Sequence, residues 1–162
     1  MIFLTVGTQF PFDRLVKCVD EFISRNVFEE GIFAQIGHST YRPHNFKFIK
    51  YIGKKQFDNL MQSASGVISH AGMGTITMAL ECEKPILVMP RLKKYGEVVN
   101  DHQVMIAKRF EELGHVLAAY SVEELPEKIK QLRTFMPKTR ESQVHFVVQR
   151  VSEFLNELTI GK

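Results

Sequence analysis

The sequence predicts an α/β fold built on a doubly wound, mostly parallel sheet, and three observations carry that expectation. Short apolar runs of strand length alternate with longer runs of helical period along most of the chain. The stretch from Val67 to Pro90, VISHAGMGTITMALECEKPILVMP, places two apolar strands around one helical segment, the spacing of a parallel βαβ unit. With 44% apolar residues in 162, the chain suits one domain with a single substantial core, expected to span 1–162.

The elements follow in order. Residues 2–7 (IFLTVG) are predicted as a buried strand, and Phe12 to about Arg25 as a helix with Leu15, Val16, Val19 and Ile23 on one face. Ile32 to Ile36 is a second strand, and Asn45 to Tyr51 an imperfectly alternating third. Lys55 to Ser63 is a helix before the central βαβ unit. Asn100 to Leu113 is a helix stopped by Gly114, and Val116 to Ala119 a last short strand. Ser121 and Glu124 have the spacing of a capping box and predict a helix opening there. A final helix, about 138–158 after Pro137, carries Val144, Val147, Val151, Phe154 and Leu158 in one apolar stripe. That stripe packs on the chain's own sheet or meets a partner.

Composition removes several classes of function. No apolar run reaches the roughly 18 residues of a spanning helix, and MIFLTVGTQF lacks the basic start of a signal peptide. Cys18 and Cys82 read as buried reduced thiols of a cytosolic protein, and no Cys/His spacing suggests a metal site. The net charge of +3 is too mild for a nucleic-acid surface and fits a local attraction for phosphates or an anionic membrane.

The chemistry concentrates after the strand ending at His70. In His70-Ala71-Gly72-Met73-Gly74-Thr75 two glycines let a ligand approach the backbone, and the following helix start offers free N–H groups to an anion. In a parallel sheet this loop shares an edge with Arg91, Lys93 and Lys94 after the next strand, and with the Asn100-Asp101-His102-Gln103 run. Each residue also has a plainer reading. The glycines make a turn, Thr75, Asn100 and Asp101 cap helices, His70 is a hydrogen-bonded strand-end histidine, and the basic residues are solvated.

HAGMGT, KPILVMPR, the NDHQ run and the opening IFLTVGTQFPFDRLV together resemble the nucleotide-sugar half of family 28 glycosyltransferases. The resemblance runs from Met1 to about Leu125. Within that family the chain is most similar to small catalytic subunits of two-component enzymes. These are the PssE-like subunits of polysaccharide synthesis and the eukaryotic subunit that adds the second N-acetylglucosamine to a dolichol-linked glycan. The resemblance implies a Rossmann-like half of a GT-B glycosyltransferase and inverting transfer from a UDP-sugar donor to a lipid-linked saccharide acceptor. It implies no cofactor and no metal. A membrane-anchored, PssD-like subunit would bind the acceptor and hold this chain peripherally at the cytoplasmic face of the membrane. It assigns UDP binding to Gly72, Met73, Gly74, Thr75, Glu81 and Arg91, donor-sugar contacts to His70, Asp101 and Gln103, and the acceptor or partner side to Gly7 and Thr8. No catalytic base is assigned.

One departure stands out. Where relatives place a ribose-binding glutamate this chain has Met78, and the nearest carboxylate is Glu81. Either Glu81 takes part of that role or another group holds the ribose. The departure keeps open a non-catalytic, UDP-sugar-binding regulatory module. An NADP oxidoreductase is disfavoured, because Thr77 replaces the third glycine of its fingerprint.

Overall fold

The computed structural model describes residues 1–25 and 30–139, together with Gln149 and Ser152. Strands β1 (Ile2–Thr5), β2 (Ile32–Gln35), β3 (Lys47–Ile49), β4 (Gly66–His70), β5 (Ile86–Met89) and β6 (Leu117–Ala118) form one sheet in the order 3-2-1-4-5-6. Every pairing is parallel. The chain winds outward from β1 through β2 to β3, then returns to the other side of β1 with β4. Crossovers leave β1 in opposite directions, so a crevice opens beyond the carboxyl ends of β1 and β4.

Alternation along β1 sorts the core into two layers. Ile2 and Leu4 face the helix α1 (Asp13–Arg25), through Leu15, Val16 and Val19, and α5 (Leu125–Leu132), through Leu125 and Ile129. Phe3 faces the opposite layer of α2 (Lys54–Ser63), α3 (Met73–Glu81) and α4 (His102–Glu112), through Met61, Ile76 and Ala107. Strands buried on both faces explain the unbroken apolar runs of β1 and β5.

The expected fold class holds, and most boundaries shift by only one or two residues. The third strand is shorter than expected, because Asp20 on α1 captures the chain before it. The Asp20 carboxylate accepts from the amides of His44 (3.0 Å) and Asn45 (2.8 Å), the Asn45 side chain (3.2 Å) and the Tyr41 hydroxyl (2.9 Å). Burial alone would raise this carboxyl's pKa, yet the donated bonds outweigh it and leave the pKa lowered. The helix expected at Ser121 begins at Leu125 instead. Glu124 turns back to accept from the Tyr120 amide at 2.9 Å, and Pro126 suits the first turn of the later helix. Both cysteines are free and half-buried, so neither is fully enclosed as expected. No described helix is long and apolar enough to cross a membrane. The expected helix of about 138–158 and its stripe lie almost entirely outside the described residues.

Replacing Asp20 by Ala leaves four partly buried hydrogen bonds without their acceptor and should lower the unfolding free energy by about 1–3 kcal/mol, measured by urea denaturation. Because the folded pKa is depressed, the carboxylate's contribution is present above its ordinary value of 3.8 and is lost as pH falls through the lower folded value. An Asp20→Ala loss as large at the acid end as at neutral pH would refute this role.

Candidate functional site

A cavity of about 330 Å³ occupies the crevice between β1 and β4. Its walls are the loop after β1 (Val6 to Phe10), the loop after β4 (His70, Gly72, Gly74, Thr75), Arg91 after β5, and Val98 and Gln103 near α4. A larger groove of about 610 Å³ lies between α1 and the approach to α5, against Cys18, Phe22, Val122 and Pro126. We place the functional site in the smaller cavity, because the strand mouths and the glycine turn converge there.

Arg91 forms one wall of the cavity. It is 3% exposed, and its guanidinium donates to the carbonyls of Val6 (2.6 Å), Phe10 (2.7 Å) and Pro11 (3.3 Å). It also lies 4.9 Å from the centre of the Phe12 ring. Burial brings its pKa down to about 10, opposed by nearby Glu97, so it stays charged at neutral pH. Glu97 is engaged elsewhere. It pairs with Arg14 at 2.8 Å and accepts from the Leu92 amide at 2.8 Å, tying α1 to the loop after β5.

His70 lies between two glycines. A Cβ on Gly72 would stand 2.3 Å from Nε2, and one on Gly7 would stand 3.0 Å from Cε1. Its Nδ1 is 3.1 Å from the Ser69 hydroxyl, which itself lies 2.8 Å from the Thr5 carbonyl. Burial first, and the positive charge of Arg91 second, pull the His70 pKa down to about 4, so the ring is neutral at pH 7.

The start of α3 supplies donors. Its first closing bond runs from the Ile76 amide to the Gly72 carbonyl, leaving the amides of Met73, Gly74 and Thr75 without intrahelical partners. The N-cap residue, Gly72, makes no side-chain capping bond, and Thr75 lines the cavity. Beyond its chain neighbours and its own helix backbone, no described residue lies within 4 Å of where a Gly74 Cβ would sit. The result is a concave set of N–H donors over a fixed positive charge, suited to an anion of diphosphate size.

Of the residues assigned from sequence, Gly7, Thr8, His70, Gly72, Gly74, Thr75, Arg91 and Gln103 share this cavity. Met73 is not among the residues lining it and is exposed. Asp101 sits outside and accepts from the Lys93 amide at 2.7 Å, while Asn100 takes the capping role by accepting from the His102 amide at 3.1 Å. Glu81 lies at the far end of α3, beside a different cavity with Leu80, Pro85 and Phe135. Met78 is partly buried against the apolar layer. Lys93 and Lys94 are solvated, as their plainer reading had it, whereas Arg91 is buried. Sequence reasoning missed Ser69, Thr5 and Gln35. A polar residue inside an otherwise apolar strand, as in VISH and IFAQ, was the available signal. Among the described residues no group of three or more His, Cys, Asp or Glu is placed to hold a metal ion.

The model of the glycosyltransferase family 28 C-terminal domain matches residues 1–157. The human UDP-N-acetylglucosamine transferase subunit ALG13 is 34% identical over 124 residues, covering 71% of this chain and 10% of that protein. A Prochlorococcus marinus UDP-N-acetylglucosamine–N-acetylmuramyl-(pentapeptide) pyrophosphoryl-undecaprenol N-acetylglucosamine transferase is 36% identical over 83 residues, covering 49% of this chain and 22% of that protein. The chain thus spans under a quarter of either relative. Among solved structures, the glycosyltransferase SnogD from Streptomyces nogalater superposes with a TM-score of 0.59 at 18% identity, covering 82% of this chain and 34% of that one. The fold is therefore one half of a GT-B glycosyltransferase.

Two glycines should respond in opposite ways. Gly72→Ala forces the His70 ring to move and should cost about 1–3 kcal/mol. Gly74→Ala meets only open space and should leave stability unchanged or raise it by up to about 1 kcal/mol. Thermal melts of both variants check this. A depressed histidine pKa also fixes the pH dependence. Stability should be intact above the ordinary value of 6.5 and fall as pH drops toward about 4, by an amount on the order of 3 kcal/mol. Comparing urea melts with those of His70→Asn isolates this contribution, since the variant should lack it.

Proposed function

The chain belongs to the glycosyltransferase family 28 C-terminal domain family, and from that premise we propose that it is the donor-binding catalytic subunit of a two-component glycosyltransferase. It binds a UDP-sugar, with UDP-N-acetylglucosamine the first choice, and the sugar passes to a lipid-linked saccharide held by a membrane-anchored partner. One observation carries the reading. The amides opening α3, the open side of Gly74 and the buried Arg91 cation converge on one cavity at the β1–β4 crevice.

The finer claims draw on different support. The relatives' names speak for N-acetylglucosamine as the sugar and, in the Prochlorococcus protein, for a lipid pyrophosphate acceptor. The human relative is named a subunit, which speaks for a partner. Exposed Phe10, Met73, Tyr95 and Val99 lie in the segments that follow the carboxyl ends of β1, β4 and β5, the side from which an acceptor-binding half would close.

In this reading the chain works on the leaving group. As the bond between the sugar and UDP breaks, negative charge grows on the diphosphate, where the α3 amides and Arg91 are already oriented to stabilise it. An acceptor hydroxyl attacking from the opposite face inverts the sugar carbon. No Asp or Glu lines the cavity among the described residues, so the partner is assigned the base that takes the hydroxyl's proton. Met78, at the position relatives give to an acid, favours a second reading as a UDP-sugar-binding module without turnover.

Calorimetric titration with UDP in the presence of EDTA should show binding, and Gly74→Val should weaken it at least about tenfold while the fold persists. Sugar transfer should appear only when the chain is combined with a membrane-anchored acceptor subunit. Binding that never leads to transfer, even with such a partner, would favour the regulatory module. Unchanged UDP affinity in a folded Gly74→Val variant would place the site elsewhere.

A further inference from the structure

We infer that Ser69 is a positioning residue that holds His70 with its proton on Nδ1, so that a nucleoside diphosphate binds together with one proton, taken from solvent onto His70 Nε2. The inference rests on the donor-binding reading above and deepens it.

The hydrogen count at Ser69 is the starting point. A serine hydroxyl has one hydrogen. Ser69, fully buried on β4, lies 2.8 Å from the Thr5 carbonyl, which can only accept, so that hydrogen is committed there. The 3.1 Å contact with His70 Nδ1 is then a bond donated by the ring. A neutral histidine protonated at Nδ1 presents a lone pair at Nε2. Among the described residues no hydrogen-bond partner of Nε2 is found, yet no buried side-chain nitrogen or oxygen there is left unpaired. Nε2 therefore reaches the open side of the cavity, next to Gly72.

The surroundings keep that lone pair free. The β1 loop brings Gly7, Thr8, Gln9 and Phe10, none of which titrates, and α4 brings uncharged Gln103. From β5 comes the Arg91 cation, and from α3 the positive end of a helix dipole. Glu97, the nearby carboxylate, is held by Arg14 and the Leu92 amide. Fixed charge facing the ring is thus positive, and His70 is unprotonated while the site lacks an anion.

A phosphate oxygen carries only lone pairs, so it repels an Nε2 that has one too. Adding a proton to Nε2 turns repulsion into a charge-assisted hydrogen bond, and the ligand's own negative charge offsets Arg91 and raises the ring's proton affinity. The balance is simple: solvent loses one proton, Nε2 gains it, and Nδ1–H stays on Ser69.

Calorimetry with UDP-N-acetylglucosamine tests this, because its diphosphate is a diester that does not titrate near neutrality. Titrations near pH 6 in MES and in Bis-Tris, which differ in ionisation enthalpy, should give enthalpies that differ by the uptake of more than about half a proton. Affinity should fall with rising pH, by at most about tenfold per unit. Ser69→Ala releases Nδ1, lets the ring carry its proton on Nε2, and should cut the uptake by at least half. His70→Gln offers an amide donor in place of Nε2 and should bind with no uptake at all. If Ser69→Ala fails to fold, ring nitrogen-15 shifts of His70 in the intact chain serve instead. They should report Nδ1–H without ligand and a doubly protonated ring with it. Measurable binding with identical enthalpies in both buffers would overturn the inference and leave the donor-binding reading standing. Uptake unchanged in a folded Ser69→Ala would overturn the role of Ser69. No binding of UDP or the UDP-sugar would overturn both readings.

Discussion

The buried guanidinium of Arg91 is the constraint on which the rest of the site depends. A cation at 3% exposure is costly unless every donor is engaged, and no carboxylate is in hydrogen-bond contact with it. Backbone carbonyls of Val6, Phe10 and Pro11 take three of its five N–H donors, so the loop after β1 cannot leave the end of β5 without exposing an uncompensated charge. This holds Gly7 over His70 and gives the cavity its far wall. The same charge adds to burial, the larger cause, in keeping His70 neutral. One residue therefore sets the loop's position and the cavity's shape, and reinforces the neutrality of its histidine.

Around that centre, polar networks take over at the carboxyl edge of the sheet, where ladder bonding ends. Thr5 donates to Gln35 at 2.7 Å, and Gln35 donates to the Gly7 and Lys50 carbonyls at 3.0 and 2.9 Å. The glycines divide by what occupies their missing Cβ. At Gly37, with φ of +52°, a Cβ would fall 2.4 Å from the Gly7 carbonyl; at Gly7 and Gly72 it would meet the His70 ring. Those three serve packing inside the protein. Gly74 alone among the cavity's glycines leaves open space that no described residue fills, which is what a ligand-facing glycine looks like.

The chemistry this edge can perform is one-sided. Among the described residues it offers N–H donors and positive charge, which in the proposed reaction would meet a leaving diphosphate, and no carboxylate for an attacking hydroxyl. That asymmetry is what half of a two-domain transferase should show, since donor and acceptor approach from opposite halves in the proposed reaction.

The sequence by itself determined the fold class, the order of the elements and the glycine turn at the head of α3. These follow from local periodicity and turn chemistry, which are written in neighbouring residues. It also brought eight of its eleven assigned residues to one cavity, because strand ends in a parallel sheet share an edge. It could not place Glu81 or Asp101, whose positions depend on how far a helix carries a residue from the edge and on which backbone amide a carboxylate finds. Nor could it show that Arg91 is buried while Lys93 and Lys94 are solvated, although all three sit in one basic run. Only the tertiary structure decided that, by bringing three carbonyls from a loop some eighty residues earlier within reach of one guanidinium. The tautomer of His70 was decided the same way. Ser69 is its neighbour in sequence, but the carbonyl that commits the serine's hydrogen comes from Thr5 on the adjacent strand. Hydrogen-bond direction is settled by the whole set of partners, and most of those partners are distant in the chain.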